Sequence, residues 1–245
     1  MFKYISPIDV AITVPEDVLD WIANYEYTEK SKSNFQIQRR IISLIRNVDP
    51  AEDEFPIEIV HNNDTKFILH FNVYNEIKTN FLNDSKEFGL TTLPKYSRIA
   101  LPSPVKETIL SCLPSALLAY NPVPVLQIID GYGMLPHTDF GRTSSLFYLL
   151  TDPDECTTMW YESNNEISLH DEKMKYGFIF TNASLNRVKL KKSFVIQKNV
   201  WHVFDNHTYH AIRSKNHVLR KALQIEFNIP AADLYNILSG GSSVG

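Results

Sequence analysis

The segment Asp130-Gly-Tyr-Gly-Met-Leu-Pro-His137-Thr-Asp139 sets an imidazole and a carboxylate two positions apart. On an extended strand, residues i and i+2 project from one face, so His137 and Asp139 can converge on a point that a metal ion would occupy. A His-x-Asp pair is also met as two solvated loop residues, and a second segment is what gives it weight. In Trp201-His-Val-Phe-Asp-Asn-His-Thr-Tyr-His210-Ala-Ile-Arg-Ser-Lys-Asn-His-Val-Leu-Arg220, a third ligand candidate stands ten residues before a cation. With a turn centred near Lys215, antiparallel pairing sets His210 opposite Arg220, with Cβ atoms about 4.5–5.5 Å apart on one face. Two nitrogens and one carboxylate leave about three positions open on an octahedral Fe(II). The guanidinium is then placed to hold the far carboxylate of a chelating anion through a bidentate fork.

In order and spacing, His137-x-Asp139, His210 and Arg220 resemble the 2-oxoglutarate- and Fe(II)-dependent dioxygenases. Leu-Pro-His-Thr-Asp after a Gly-containing turn, and Val-Phe-Asp-Asn-x-x-x-His-Ala-Ile before the distal arginine, resemble the prolyl-hydroxylase and aspartyl/asparaginyl-hydroxylase branches in particular. The similarity runs from about Val123 to Asn228. It implies a mainly β fold with α, whose core is a double-stranded β-helix, or jelly roll, flanked by helices. It further implies that His137, Asp139 and His210 ligate iron and that Arg220 binds the distal carboxylate of 2-oxoglutarate. Tyr148 resembles the strand tyrosine that adds a hydroxyl to that carboxylate, with Gln127 and Ser144 as weaker candidates. The implied cofactors are Fe(II), 2-oxoglutarate as cosubstrate and O2. The implied reaction hydroxylates a prolyl or aspartyl/asparaginyl side chain, in a peptide or as a free amino acid.

The chain departs from this pattern at Glu155-Cys-Thr-Thr-Met-Trp-Tyr161, where many relatives carry Gly-Gly-x-Thr-x-Phe, so the loop at the site mouth differs. A shifted register would make His202 and Arg213 the functional pair instead. Arg142 could meet an acidic substrate group, although a solvated loop arginine is the plainer reading. Two other classes of function use the same residues: a cupin-like non-oxygenase metalloprotein (hydrolase, isomerase or small-molecule sensor), and a structural or binding jelly roll in which the triad is coincidental.

These residues need a β scaffold, and from about Pro122 the chain supplies short β-rich runs separated by Gly, Asn, Asp and Pro turns. They include Val123–Ile129, Ser144–Leu150, Thr157–Tyr161, Tyr176–Asn182, Val200–Asp205, His210–Arg213 and Leu219–Asn228. Leu219, Leu223, Ile225 and Phe227 share the face opposite Arg220, so both faces of that strand must be covered. The first 121 residues read as mixed and mostly helical. A helix starts at Pro15-Glu16-Asp17 and continues through Val18, Leu19, Ile22 and Tyr25; others are expected over 35–48 and 105–113. One domain over 1–245 is expected, with the jelly roll in 122–229 and a flexible tail at 239–245.

The composition fits a globular protein of 245 residues, with 44% hydrophobic and 21% charged residues. Its formal net charge of −4 gives no general attraction to phosphate backbones, so nucleic acid is an unfavoured partner and a small molecule or peptide the expected one. No stretch is apolar enough for a membrane span, and neither a secretory leader nor a disulfide framework is read from the opening residues and the two cysteines. The expectation is a cytoplasmic protein.

Overall fold

The computed structural model describes residues 4–8, 12–26, 41, 43–61, 65–89, 95–139, 142–152, 156–163 and 188–240. Two long strands organise it. β5 (Val123–His137) and β10 (Tyr209–Phe227) run antiparallel over almost their whole length. Between them in sequence lie β6 (Ser144–Leu149), β7 (Thr157–Ser163), β8 (Val188–Phe194) and β9 (Trp201–Asp205). The C-terminal half of β10 pairs with β6, which pairs with β9; its N-terminal half pairs with β7, which pairs with β8. The long pair therefore passes from a larger sheet into a smaller one, and the two sheets face each other as a jelly roll. The larger sheet is extended at its edges by β1 (Ile5–Pro7) on β9 and by β4 (Lys95–Ala100) on β5.

The crossing between sheets needs a bend, and the chain provides one. Register shifts separate His210 from Ile212 and Arg213 from Val218 on β10. Opposite them, Gly133 has φ +139°, and a β-carbon there would collide with the Ile212 carbonyl oxygen. Only glycine allows the strands to approach so closely at the bend. The hairpin expected around Lys215 is thus a correction: residues 209–227 form one bulged strand, His210 pairs with His137, and Arg220 pairs with Ile129. Ser214-Lys-Asn216 reads as a turn but serves as the extra length that carries β10 around the corner.

The face opposite Arg220 is covered from Leu223 onward, while Leu219, expected on the same covered face, stays exposed. Leu223, Ile225 and Phe227 join Leu126, Ile128, Leu146 and Val203 in a buried layer beneath the helices. That layer is closed by α1 (Glu16–Ala23), the later helices α3 (Ser103–Ser111) and α4 (Ser115–Leu118), and the C-terminal α5 (Ala231–Leu238), through Val18, Ile22, Ile109, Leu117 and Leu234. Each such aliphatic side chain contributes about 1.5–3 kcal/mol by leaving water. The outer face of the smaller sheet, with Met159, Tyr161, Tyr209 and Ala211, is covered by β2 (Ile57–His61), β3 (Thr65–Leu69) and α2 (Phe71–Phe88), which bring Ile59, Leu69, Tyr74, Ile77 and Phe81. Among the described residues, the first 120 positions therefore lid both sheets and supply no member of the triad. Helices are found where expected near 16–23 and 103–111; α2 and α5 were not read from the sequence. The helix expected over 35–48 lies mostly outside the described residues, its last turn being a π-helical turn at Leu44–Val48, and the strand expected at 176–182 and the tail beyond 240 lie wholly outside them. No helix among the described residues is long and apolar enough to cross a membrane.

Candidate metal centre

His137 closes β5, Asp139 stands two residues beyond it, and His210 opens β10 beside His137, with the two imidazole centroids 4.4 Å apart. One ligand atom from each of the three lies within 4.8 Å of the others. The Nε2 atom of His137 is 3.9 Å from Asp139 Oδ1, and that of His210 is 3.7 Å from Oδ2.

The tautomers are settled by the partners. His137 Nδ1 lies 2.7 Å from the Leu135 carbonyl and His210 Nδ1 lies 2.9 Å from the Thr208 carbonyl. A carbonyl only accepts, so Nδ1 donates in both rings and each Nε2 turns its lone pair toward the carboxylate. Burial holds both imidazoles neutral: His137 is lowered from its ordinary value, and His210 is lowered to about 4, with His137 adding to the effect. Burial works the other way on Asp139, but Arg142, helped by His210 and His137, keeps that carboxyl well below its ordinary range. Two neutral nitrogen donors and one ionised oxygen donor, desolvated and oriented, are the donor set a divalent first-row metal takes.

The carboxylate is itself held. Arg142 lies 2.9 Å from Oδ1, the Asn206 amide donates to Oδ2, and the Asp139 amide donates to the Asn206 carbonyl at 3.0 Å. Arg142 also pairs with Glu226, which Arg98 clamps from the other side. Reading Arg142 as a solvated loop residue is therefore corrected: it is only 6% exposed and lies between two carboxylates. Asn206 stands in the sequence only as part of the Val-Phe-Asp-Asn run before His210, with no role of its own, and Glu226 was not singled out. The alternation on β10 that puts Arg220 inward also puts Gln224 and Glu226 inward, and that signal was there to be used.

Arg220 lines the same cavity as the triad, a space of about 310 Å³ including its open mouth, together with Phe147 and Gln224. Its guanidinium lies 5.0 Å over the Phe147 ring and contacts the Cys156 thiol. Burial lowers its pKa, no carboxylate opposes that, and its Nη1 has no partner among the described residues. Tyr148 is placed elsewhere, and its cosubstrate role is corrected. It alternates with the inward Phe147, packs against the helix-covered core and meets the Trp201 ring at a tilt of 45°, centroids 4.8 Å apart. The rival pair does not assemble: His202 is fully buried on β9 with Nδ1 donating to the Val200 carbonyl, while Arg213 is exposed. His217 is surface-exposed and pairs with Asp130 at 3.1 Å. Gln127 lines the cavity, whereas Ser144 donates to the Ile229 carbonyl.

The strand order and the site together define a jelly-roll protein with a candidate His-Asp-His metal centre. No protein-family model and no curated protein matches the chain. Among solved structures, AviO1 from Streptomyces viridochromogenes Tue57 is similar at 10% identity and TM-score 0.38, over 93% of this chain and 90% of that one. EvdMO1 is similar at 12% identity and TM-score 0.40, over 93% of this chain and 47% of that one. A vicilin from Solanum melongena is similar at 8% identity and TM-score 0.32, over 61% of this chain and 39% of that one. At these values the likenesses say nothing of chemistry, and the fold stands on its own strand pairing.

Proposed function

We propose that the chain is an Fe(II)- and 2-oxoglutarate-dependent oxygenase that hydroxylates an amino-acid side chain, prolyl or aspartyl/asparaginyl, in a peptide or as the free amino acid. The observation that carries this reading is Arg220. A buried cation without an acid partner costs stability unless a ligand supplies the anion; this one has no carboxylate partner among the described residues and faces the cavity that holds the triad. A dicarboxylate with a chelating keto-acid end and a free carboxylate end suits both charges at once.

His137, Asp139 and His210 would hold the metal, and Arg220 the distal carboxylate. With iron and cosubstrate bound, the chemistry supplied is that of 2-oxoglutarate, O2 and a C–H bond giving succinate, CO2 and C–OH. The protein's own part is to keep both imidazoles neutral, to fix the carboxylate, and to shield the site behind Phe147 and the second sheet.

The test is anaerobic addition of Fe(II) and 2-oxoglutarate, followed by a screen for substrate-dependent succinate release against free amino acids and peptides. The wild-type protein is expected to develop the visible charge-transfer band of the chelate, and Asp139→Ala to bind no iron and show none. Arg220→Gln is expected to need about 100-fold more 2-oxoglutarate, the loss that follows removal of one partner of a desolvated charge pair. Iron binding without any band in the wild type would overturn the reading and favour the cupin-like hydrolase, isomerase or sensor.

A further inference from the structure

We propose that Arg142 and Glu226 are positioning residues for the metal ligand Asp139. The inference rests on the metal-centre part of the reading above and not on its cosubstrate. Two tethers reach the carboxylate from different elements. The first is ionic: Arg142 contacts Asp139 Oδ1 at 2.9 Å through one terminal nitrogen and Glu226 Oε1 through the other. The Tyr96 hydroxyl touches the same guanidinium at 3.3 Å, and Arg98 Nε donates to Glu226 Oε1 at 2.7 Å. The second tether is a chain of neutral groups. The Asn206 amide donates to Asp139 Oδ2, the Ser145 hydroxyl donates to Asn206 Oδ1 at 2.9 Å, and the Gln224 amide donates to Ser145 Oγ at 2.9 Å. The direction of that chain follows from its end, because a carboxylate can only accept.

Each Asp139 oxygen therefore has one fixed partner, so the carboxylate plane cannot turn freely. Untethered, the group can swing to grip a metal through both oxygens. Bidentate gripping would leave about two open positions on an octahedral ion, where a monodentate carboxylate leaves about three. Arg142 suits this work because its planar fork can serve two carboxylates at once, which a lysine ammonium on a flexible stem does less well. Glu226 holds the fork in place, and Arg98 in turn clamps Glu226 from its other side.

Titration of the metal-free protein with Co(II), followed by visible absorption, tests this without turnover. Arg142→Gln is expected to weaken Co(II) by about 10–100-fold, the usual cost of losing a partner of a metal ligand, and to shift the d–d bands. Arg142→Lys should recover part of the affinity, and the near-isosteric Glu226→Gln should lose about severalfold while keeping the wild-type far-ultraviolet circular dichroism. Wild-type affinity and spectrum in folded Arg142→Gln, or in Glu226→Gln where the arginine variant does not fold, would overturn the positioning role. A wild-type protein that binds no Co(II) would overturn the metal centre together with it. One that binds Co(II) but gives no 2-oxoglutarate band would sink only the proposed oxygenase, leaving Arg142 to be judged by its variants.

Discussion

Two buried arginines flank the site and live in opposite electrostatic settings. Arg142 sits between Asp139 and Glu226, whose charges raise its pKa against the effect of burial. Arg220 is as buried, at 6% exposure, but has an aromatic face and a thiol where Arg142 has two carboxylates. The first arrangement offsets the cost of desolvating a cation inside the fold; in the second, among the described residues, only the Cys156 thiol works against that cost. On the proposed function, a cation with no carboxylate partner among the described residues awaits an incoming anion, while one already paired with two carboxylates belongs to the scaffold.

The largest expected effect breaks this contrast by replacing each arginine with methionine, which keeps an unbranched apolar stem and removes the charge. Arg142→Met leaves Asp139 buried without its cation and should lower stability by about 3–5 kcal/mol, as removal of one partner from a buried pair does. Arg220→Met removes a charge with no carboxylate partner among the described residues and should be neutral or stabilising by about 1 kcal/mol. Urea unfolding at neutral pH measures both. Equal losses in the two variants would show that Arg220 already has a structural partner.

The two corners also differ in how far the sequence disclosed them. His137, Asp139, His210 and Arg220 were readable because residue type and strand parity are local properties, and the structure brings all four to one cavity. The Arg142 corner was not, because its partners are distant in the chain: Glu226 lies 84 residues from Arg142, and Asn206 lies 67 from Asp139. No spacing rule links such positions; only the β10–β6 and β6–β9 pairings do. The jelly roll was legible as a texture of strands and turns, yet its long β10 was split in two, since a bulge and a hairpin use the same polar residues. Helix α2 escaped notice because its buried positions, Tyr74, Ile77 and Phe81, are diluted among Asn, Lys and Glu.

A smaller effect sharpens the contrast through pH. In the Arg142 corner His210 is held neutral in the fold, its pKa lowered from 6.5 to about 4 by burial and then by His137. The unfolded chain therefore binds a proton between those values that the folded chain refuses, so stability must fall as pH falls through that window. The full difference for His210 is on the order of 3 kcal/mol. Asp139, depressed below its ordinary value of 3.8, adds its own loss only at lower pH. Metal-free wild type and His210→Asn, unfolded in urea at pH 7 and pH 4, should diverge, with the wild type losing more. Parallel curves would mean that the His210 ring is charged or solvated in the folded state.

The smallest expected effect concerns Tyr148, which separates the cavity face of the larger sheet from its helix-covered face. Its neighbours settle the side: Phe147 meets Arg220 inside, while Tyr148 meets Trp201 outside, and Trp201 donates to the Ile12 carbonyl at 3.0 Å. Partial burial raises the Tyr148 phenol, and no carboxylate or cation adds to that shift. Tyr148→Phe keeps the ring and its contact with Trp201 and deletes only the hydroxyl. It should change 2-oxoglutarate affinity by less than about twofold and stability by less than about 1 kcal/mol, since a single neutral hydrogen bond has no more than that to lose. A tenfold loss of 2-oxoglutarate affinity would mean that the hydroxyl reaches the distal carboxylate, which requires β6 to present the opposite face. Because a strand's side chains alternate, that same slip would carry Phe147 away from Arg220 and Ser145 away from Asn206. The absorption titration of this one variant therefore reports on the register of β6 as well as on the tyrosine.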